Sequence, residues 1–296
     1  MKGLLYIIVL STLCLGQTSY LGLNTWTQSN VVGLSGGGYL INAQNDFRNA
    51  AMLVKAKRHI KFDVIKYPAG ISSQSMAGAT QINNNYLGFM VSRISYGFFE
   101  GRTVDNIETE DYSASDIHIQ GGYAVRSNSG KFDIGFNTGV FLSRIASHKA
   151  SAITFSPALI YNGKLINLSF SAQNYGRVFR HYGQAKESMS GSIITSLSRS
   201  MKSLPIKMEI DYVYTADSKN AIIFSGTYVF LNGIIIRGGT SSNKLDLITD
   251  VSFIKNVFSD FGFGVGYRAG DINMDMNIYS YGSSGMVLSI GLSILY

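Results

Sequence analysis

The sequence predicts an all-β protein: a transmembrane antiparallel β-barrel of about fourteen strands, preceded by an N-terminal plug segment. Three observations carry this. Only 15% of the residues are charged against 12% aromatic, with 32 glycines, where a soluble domain carries about 25% charged residues. After Gly16 no unbroken apolar stretch approaches the ~18 residues of a spanning helix. Apolar residues instead recur at every second position, most clearly in the closing "VLSIGLSILY". In hydrocarbon every backbone N–H and C=O has to be paired within the protein, which leaves the closed barrel as the spanning structure. A secreted β-sandwich would also alternate, but with more charge on its outer face.

Residues 1–16 read as a secretory signal peptide: Lys2, then LLYIIVL, then a polar-small stretch closing on Cys14, Leu15 and Gly16. An uncleaved anchor and a lipoprotein acylated at Cys14 are the alternatives, and the bulky Leu13 argues against the second. Cleavage after Gly16 would also remove the single cysteine, leaving no disulfide and no thiolate chemistry. The expected destination is the outer membrane of a Gram-negative bacterium.

Strands are expected at 58–66, 73–82, 86–97, 113–126, 131–145, 150–161 and 165–173. Seven more follow at 188–199, 205–215, 221–231, 234–240, 259–269, 272–281 and 286–296. Parity excludes a further candidate at 246–255. With fourteen strands both chain ends lie on the periplasmic side. The turns there are all short: Asn83–Asn85, Ser127–Gly130, Asn162–Gly163, Ser200–Leu204, Asn232–Gly233 and Gly270–Asp271. The long connections 98–112, 174–187 and 241–258 all fall outside. In "FGFGVGYRAGDINMDMNI" a two-residue Gly270–Asp271 turn pairs Ala269 with Ile272 and Tyr267 with Met274, so every apolar residue meets an apolar partner. A one-residue slip would mix the faces.

The final strand places Leu288, Ile290, Leu292, Ile294 and Tyr296 on one apolar face. It has to be inserted last and close on the first strand. An alternating strand with a terminal aromatic resembles the signal read by the barrel assembly machinery. Residues 17–57 differ in character, with Gly36, Gly37 and Gly38 ahead of a stretch that could turn helical from Asn45, and residues 58–296 form the barrel. A barrel of this width needs filling, and a plug folded into the lumen would supply it. Tyr228, Arg237, Arg268 and Asp275 are expected to face the lumen. Arg237 should pair with Tyr228 if Asn232–Gly233 is a two-residue turn.

The glycine cluster followed by "DFRNAAML" resembles the start of the PorV/PorQ family. "ISYGFFEGR", "SASDIHIQGGYA", "SLPIKMEIDY", "YVFLNGIIIRGG", "FGFGVGYR" and "YGSSGMVLSIGLSILY" follow in that family's order, the middle ones being most similar to PorQ. The resemblance runs over most of the chain beyond residue 16. It departs at Asn49–Ala50, where the family has proline after the asparagine. It implies a FadL-like barrel that serves type IX secretion, moving or holding exported proteins at the cell surface. Other relatives in this superfamily carry hydrophobic compounds, so transport of such compounds is the alternative.

No active site emerges. "GLSGG" (Gly33–Gly37) formally fits G-x-S-x-G, but no strong strand leads into Ser35, and glycines in series more often make a tight corner. His59, His118, His148 and His181 have no metal spacing, and no cofactor is implied. The formal charge of +7 falls to +6 without Lys2, and export makes nucleic acid an improbable partner. The loops sort by sign. "FFEGRTVDNIETEDY" is acidic, whereas "NYGRVFRHYGQAKE" combines Arg177, Arg180 and Lys186 with Phe179 and two tyrosines. Arginine with aromatics suits a protein contact or lipopolysaccharide phosphates, and charged outer loops with girdle aromatics are also ordinary in barrels. The partners expected are outer-membrane lipids and lipopolysaccharide, the assembly machinery and other secretion-system proteins.

Overall fold

The computed structural model describes residues 20–41, 47–102, 105–184, 186–189, 191–201, 203–215, 219–247 and 258–296. Residues 1–16, expected as a signal peptide, Asn45 and most of the 246–255 stretch lie outside the described residues.

Alternation becomes wall. The strands are β1 (His59–Lys66), β2 (Ser72–Ile82), β3 (Asn85–Arg102), β4 (Glu108–Arg126) and β5 (Phe132–Ile145). Then come β6 (His148–Asn162), β7 (Asn167–Gln173), β8 (Tyr175–Arg180), β9 (Ser192–Ser200) and β10 (Ile206–Thr215). The last five are β11 (Ala221–Val229), β12 (Ile234–Ser241), β13 (Phe261–Ala269), β14 (Ile272–Ser280) and β15 (Met286–Leu295). Neighbours pair antiparallel, and β1 pairs with both β2 and β15, so fourteen strands close on themselves. β8 is additional. It continues β7 past Asn174 and pairs with β6 alone.

The period of two sorts the side chains. On β1, Phe62 and Val64 are 45% and 47% exposed while Lys61, Asp63 and Ile65 are buried. Outside is apolar and inside is polar, the reverse of a soluble protein. No helix among the described residues is long and apolar enough to cross a membrane. β15 joins β1 from His59↔Leu295 to Lys66↔Leu288, with Leu288, Ile290 and Ile294 facing outward and Leu292 partly covered. The β13–β14 register is the one the alternation requires: Ala269↔Ile272, Tyr267↔Met274, and glycines opposite Asp275, Asn277 and Tyr279.

Three expectations change. Residues 98–112 are mostly strand, because β3 and β4 run on as a hairpin of 18 and 19 residues. Arg177, Phe179 and Arg180 lie on β8 rather than in a loop, and exposed Lys186 alone of that group lies in the following connection. Tyr228 faces outward and pairs with Ile236, while Arg237 pairs with Thr227. The cause is the turn. Phe230 N–H donates to Ile234 O and Gly233, at φ 86°, N–H to Phe230 O, closing a three-residue loop rather than a two-residue one.

Candidate functional site

The N-terminal segment occupies the lumen. Its first described residue, Tyr20, lies at the long-loop end, packed on Phe141, Ala150 and Ala152. A one-turn helix α1 (Ser29–Gly33) lies against β13, β14 and β15, and a 3₁₀ turn at Ala50–Lys55 lies against β4 and β5. The chain then enters β1 at the short-turn end.

Small residues on the wall make this possible. A methyl group on Gly262 would sit 2.5 Å from Val32 O, and one on Gly135 would sit 2.7 Å from the Ala50 carbonyl carbon. The inward glycines are therefore docking sites for backbone. Asn49 donates through Nδ2 to Tyr39 O and to Ser169 Oγ, tying the corner to β7. Asn49 is extended at φ −139°, and Ala50 takes the first 3₁₀ position. Both are conformations that an Asn-Pro pair would adopt, so the corner forms without the proline.

The glycine cluster is a corner of left-handed residues: Ser35, Gly36 and Gly38 have φ of 51°, 84° and 91°. Such a corner turns successive N–H groups to one side and favours an anion there. Two carboxylates on β10 take that place. Asp211 Oδ2 accepts from Gly38 N–H at 3.0 Å, and Glu209 accepts from Leu40 and Ile41 N–H at 2.7 and 2.8 Å. Gly37 lies between Asp211, Ser225 and Ile223, where a methyl group would be 3.0 Å or less from each. From the other side Arg48 donates to Gly37 O at 2.6 Å and to Gly36 O, and it sits 4.1 Å over the Tyr39 ring. Asp63 accepts from Ser29 N–H at 3.0 Å and pairs with buried Lys61 at 3.2 Å.

Sequence reasoning missed Glu209, Asp211, Asp63 and Arg48. A signal was present in "MEIDY", where two acids alternate with apolar residues on a strand. Of the residues singled out, Arg237 and Asp275 meet in a buried ion pair, while Arg268 lies at the short-turn rim and donates to Asn273. Tyr296 is exposed, with its N–H donating to Arg58 O. Ser35 Oγ has no hydrogen-bond partner among the described residues and lies against Gly262, with no histidine bonded to it. His118 bonds Thr154 Oγ1, and His59 bonds Lys57 O.

Between the segment and the long-loop end lies a cavity of about 270 Å³. It runs from Lys219 and Asn243 at the mouth to Phe47 and Met90 below. The segment contributes apolar Trp26, Val31, Tyr39 and Phe47 together with polar Gln28 and Arg48, and the wall is mostly polar, with His118, Gln120, Gln173 and Asp260 beside apolar Met90 and Ile223. Trp26 meets Tyr279 edge to face at 5.0 Å, and its carbonyl accepts from the Tyr67 hydroxyl.

The mouth has its own clasp. His181 Nδ1 is 2.6 Å from Glu187 Oε2, Tyr20 donates to the same oxygen at 3.4 Å, and Tyr182 stacks on Tyr20 at 5.8 Å. Partial burial pushes the Glu187 carboxyl up, but the hydrogen bonds from His181 and Tyr20 prevail and hold it below the ordinary glutamate value.

No family model and no curated protein matches the chain. Among solved structures it is similar to the P. putida toluene transporter TodX, at 12% identity and a TM-score of 0.53, over 84% of this chain and 92% of that one. A deltaS2 mutant of TodX, described as a monoaromatic hydrocarbon channel, aligns at 13% identity and a TM-score of 0.56, over 89% and 98%. At these identities the likeness is one of fold: like TodX, the chain is built as a β-barrel, here of fourteen closed antiparallel strands with an extra strand.

Proposed function

We propose that this protein is an outer-membrane transporter that admits small hydrophobic molecules into the lumenal cavity, with residues 17–57 as the plug beneath it. The observation that carries this is the cavity itself, floored by Trp26, Val31, Tyr39 and Phe47 and reached from the long-loop end. The likeness to TodX supports transport over docking. The plug is held by hydrogen bonds to a few wall side chains, so its release would open the lumen towards the short-turn end.

Trp26 is the only tryptophan in the chain, which makes it a reporter of the chamber. Titrating the purified barrel with toluene or a similar apolar aromatic should change Trp26 emission saturably, and Val31→Phe should weaken the response by filling the floor. An unchanged emission up to the solubility limit would overturn the proposal.

The second reading is the secretion-associated role that the PorV/PorQ resemblance implies. One observation favours it: the β3–β4 hairpin ends in a tip where Phe98 is 88% exposed beside Glu100, Glu108 and Glu110. Co-purification of secretion components, lost on Phe98→Ser, would support it.

A further inference from the structure

The bulge in β8 puts two arginines on one face. Ile153 pairs with Arg177 and Ala152 with Val178, but Ser151 pairs with Arg180, which leaves Phe179 as the extra residue. Residues three apart on a regular strand point to opposite sides. Here the extra residue restores the parity. Ile153 and Ser151 are on the outward parity of β6, so Arg177 and Arg180 both project outward, and both are exposed. Val178 turns in to pack against the Tyr20 cluster.

Two more cations stand on the same outer wall. Arg144 on β5 and Lys149 on β6 are direct cross-strand partners, both exposed and on outward parity. Like charges directly opposite destabilise a sheet, unless something of the other sign lies between them. Among the described residues, the strands that carry them supply nothing of that sign on the outer face. β5, β6, β7 and β8 contain one acid, Asp133, which is inward and buried. None of the four cations forms an ion pair with a described residue. Arg102 on the neighbouring hairpin, by contrast, pairs with Glu100 and Glu108.

Height decides the ligand. The four cations sit at the long-loop end of the wall. Level with Arg180 and Arg177 the neighbouring strands present Leu142, Val140 and Ile153, and below them Phe155 and Phe136, all outward and apolar. A ligand that meets this surface has acyl chains and, immediately above them, negative charge. Pairs of cations on adjacent strands lie roughly 5 Å apart, and successive outward positions along a strand about 7 Å apart. Two guanidiniums in that frame suit phosphate, which arginine grips bidentately.

We propose that Arg144, Lys149, Arg177 and Arg180 form a binding site for the phosphates of an outer-leaflet glycolipid of the lipid A class. This rests on the membrane-barrel reading and on the long-loop end facing the cell surface, but not on transport. The site holds the lipid against the barrel beside the segment that carries the mouth clasp, since β8 runs directly into His181 and Tyr182.

The test uses the full chain in detergent and native mass spectrometry with bisphosphoryl lipid A. Wild type should retain the lipid, and Arg177→Ala with Arg180→Ala should bind at least tenfold more weakly, as should Arg144→Ala with Lys149→Ala. Removing the lipid's phosphates should have the same effect on wild type. Lys66→Ala with Arg93→Ala, which removes isolated outward cations on β1 and β3, should leave binding within twofold. Each variant must first show the heat-dependent gel shift of a folded barrel and insert into phosphatidylcholine vesicles. Failure at that stage in wild type would overturn the barrel reading itself. Barrels that insert but bind lipid A equally with and without the four cations would overturn the site alone. So would equal binding of the dephosphorylated lipid, or loss of a protein partner instead of lipid in the same variants.

Discussion

Arg237 Nη1 lies 2.6 Å from Asp275 Oδ1, and the two residues are on strands that do not touch. β13 runs between them. The ion pair crosses above it because Arg237 and Asp275 face Gly264 and Gly266. A methyl group on Gly266 would sit 2.5 Å from the carboxylate and 3.0 Å from the guanidinium.

Gly266→Ala should therefore push Asp275 away from Arg237 and lower stability by about 1–3 kcal/mol, the cost of imperfectly paired buried polar groups. Urea unfolding of the vesicle-inserted barrel measures it. In an Arg237→Ala background the penalty should largely vanish. An undiminished penalty would mean that the glycine matters for the strand and not for the pair.

Glu209 predicts how firmly the plug is held. Glu209→Leu would strand the Leu40 and Ile41 N–H groups in the lumen, at about 1–3 kcal/mol each. Hydrogen exchange at those amides should accelerate roughly tenfold or more, by the same estimate, and conductance across a planar bilayer should rise. Glu209→Gln keeps an acceptor and should show a smaller change. Unaltered exchange in Glu209→Leu would show that the corner is held by Asn49 and Arg48 instead.

The mouth clasp gives a pH dependence. The Glu187 carboxyl is lower in the folded protein than in an unfolded chain, so the ionised form is the one the fold favours. Its contribution is complete above the unfolded value near 4.3 and is lost as pH falls through the lower folded value. Acidifying from pH 6 to pH 3 should speed proteolysis between Tyr20 and Asn24, and Glu187→Gln should remove most of that pH dependence. A mouth equally resistant at both pH values would show that Tyr182 stacking holds it alone.

Much of the wall was legible because its signal is local. Leu288, Ile290 and Ile294 alternate with Ser289 and Ser293 whatever the rest of the chain does, and the Gly270–Asp271 turn sets its own register. At Asn232–Gly233 the same reasoning placed Tyr228 inside, whereas it faces out. One more loop residue reverses every side chain of the strand, and the dipeptide is the same for both loop lengths.

The amino-acid sequence by itself determined an exposed apolar face, a polar inner face, and strands of membrane-spanning length, because a period of two is written residue by residue. Only the tertiary structure decided which glycines receive the plug, that Glu209 and Asp211 hold its corner, that Arg237 reaches Asp275 over Gly266, and that Arg177 and Arg180 share a face. Each of these depends on how one strand slides against its neighbour, or on backbone groups brought together from more than a hundred residues away. Registers are set by hydrogen bonds across the whole closed sheet, and no local pattern in one strand encodes them.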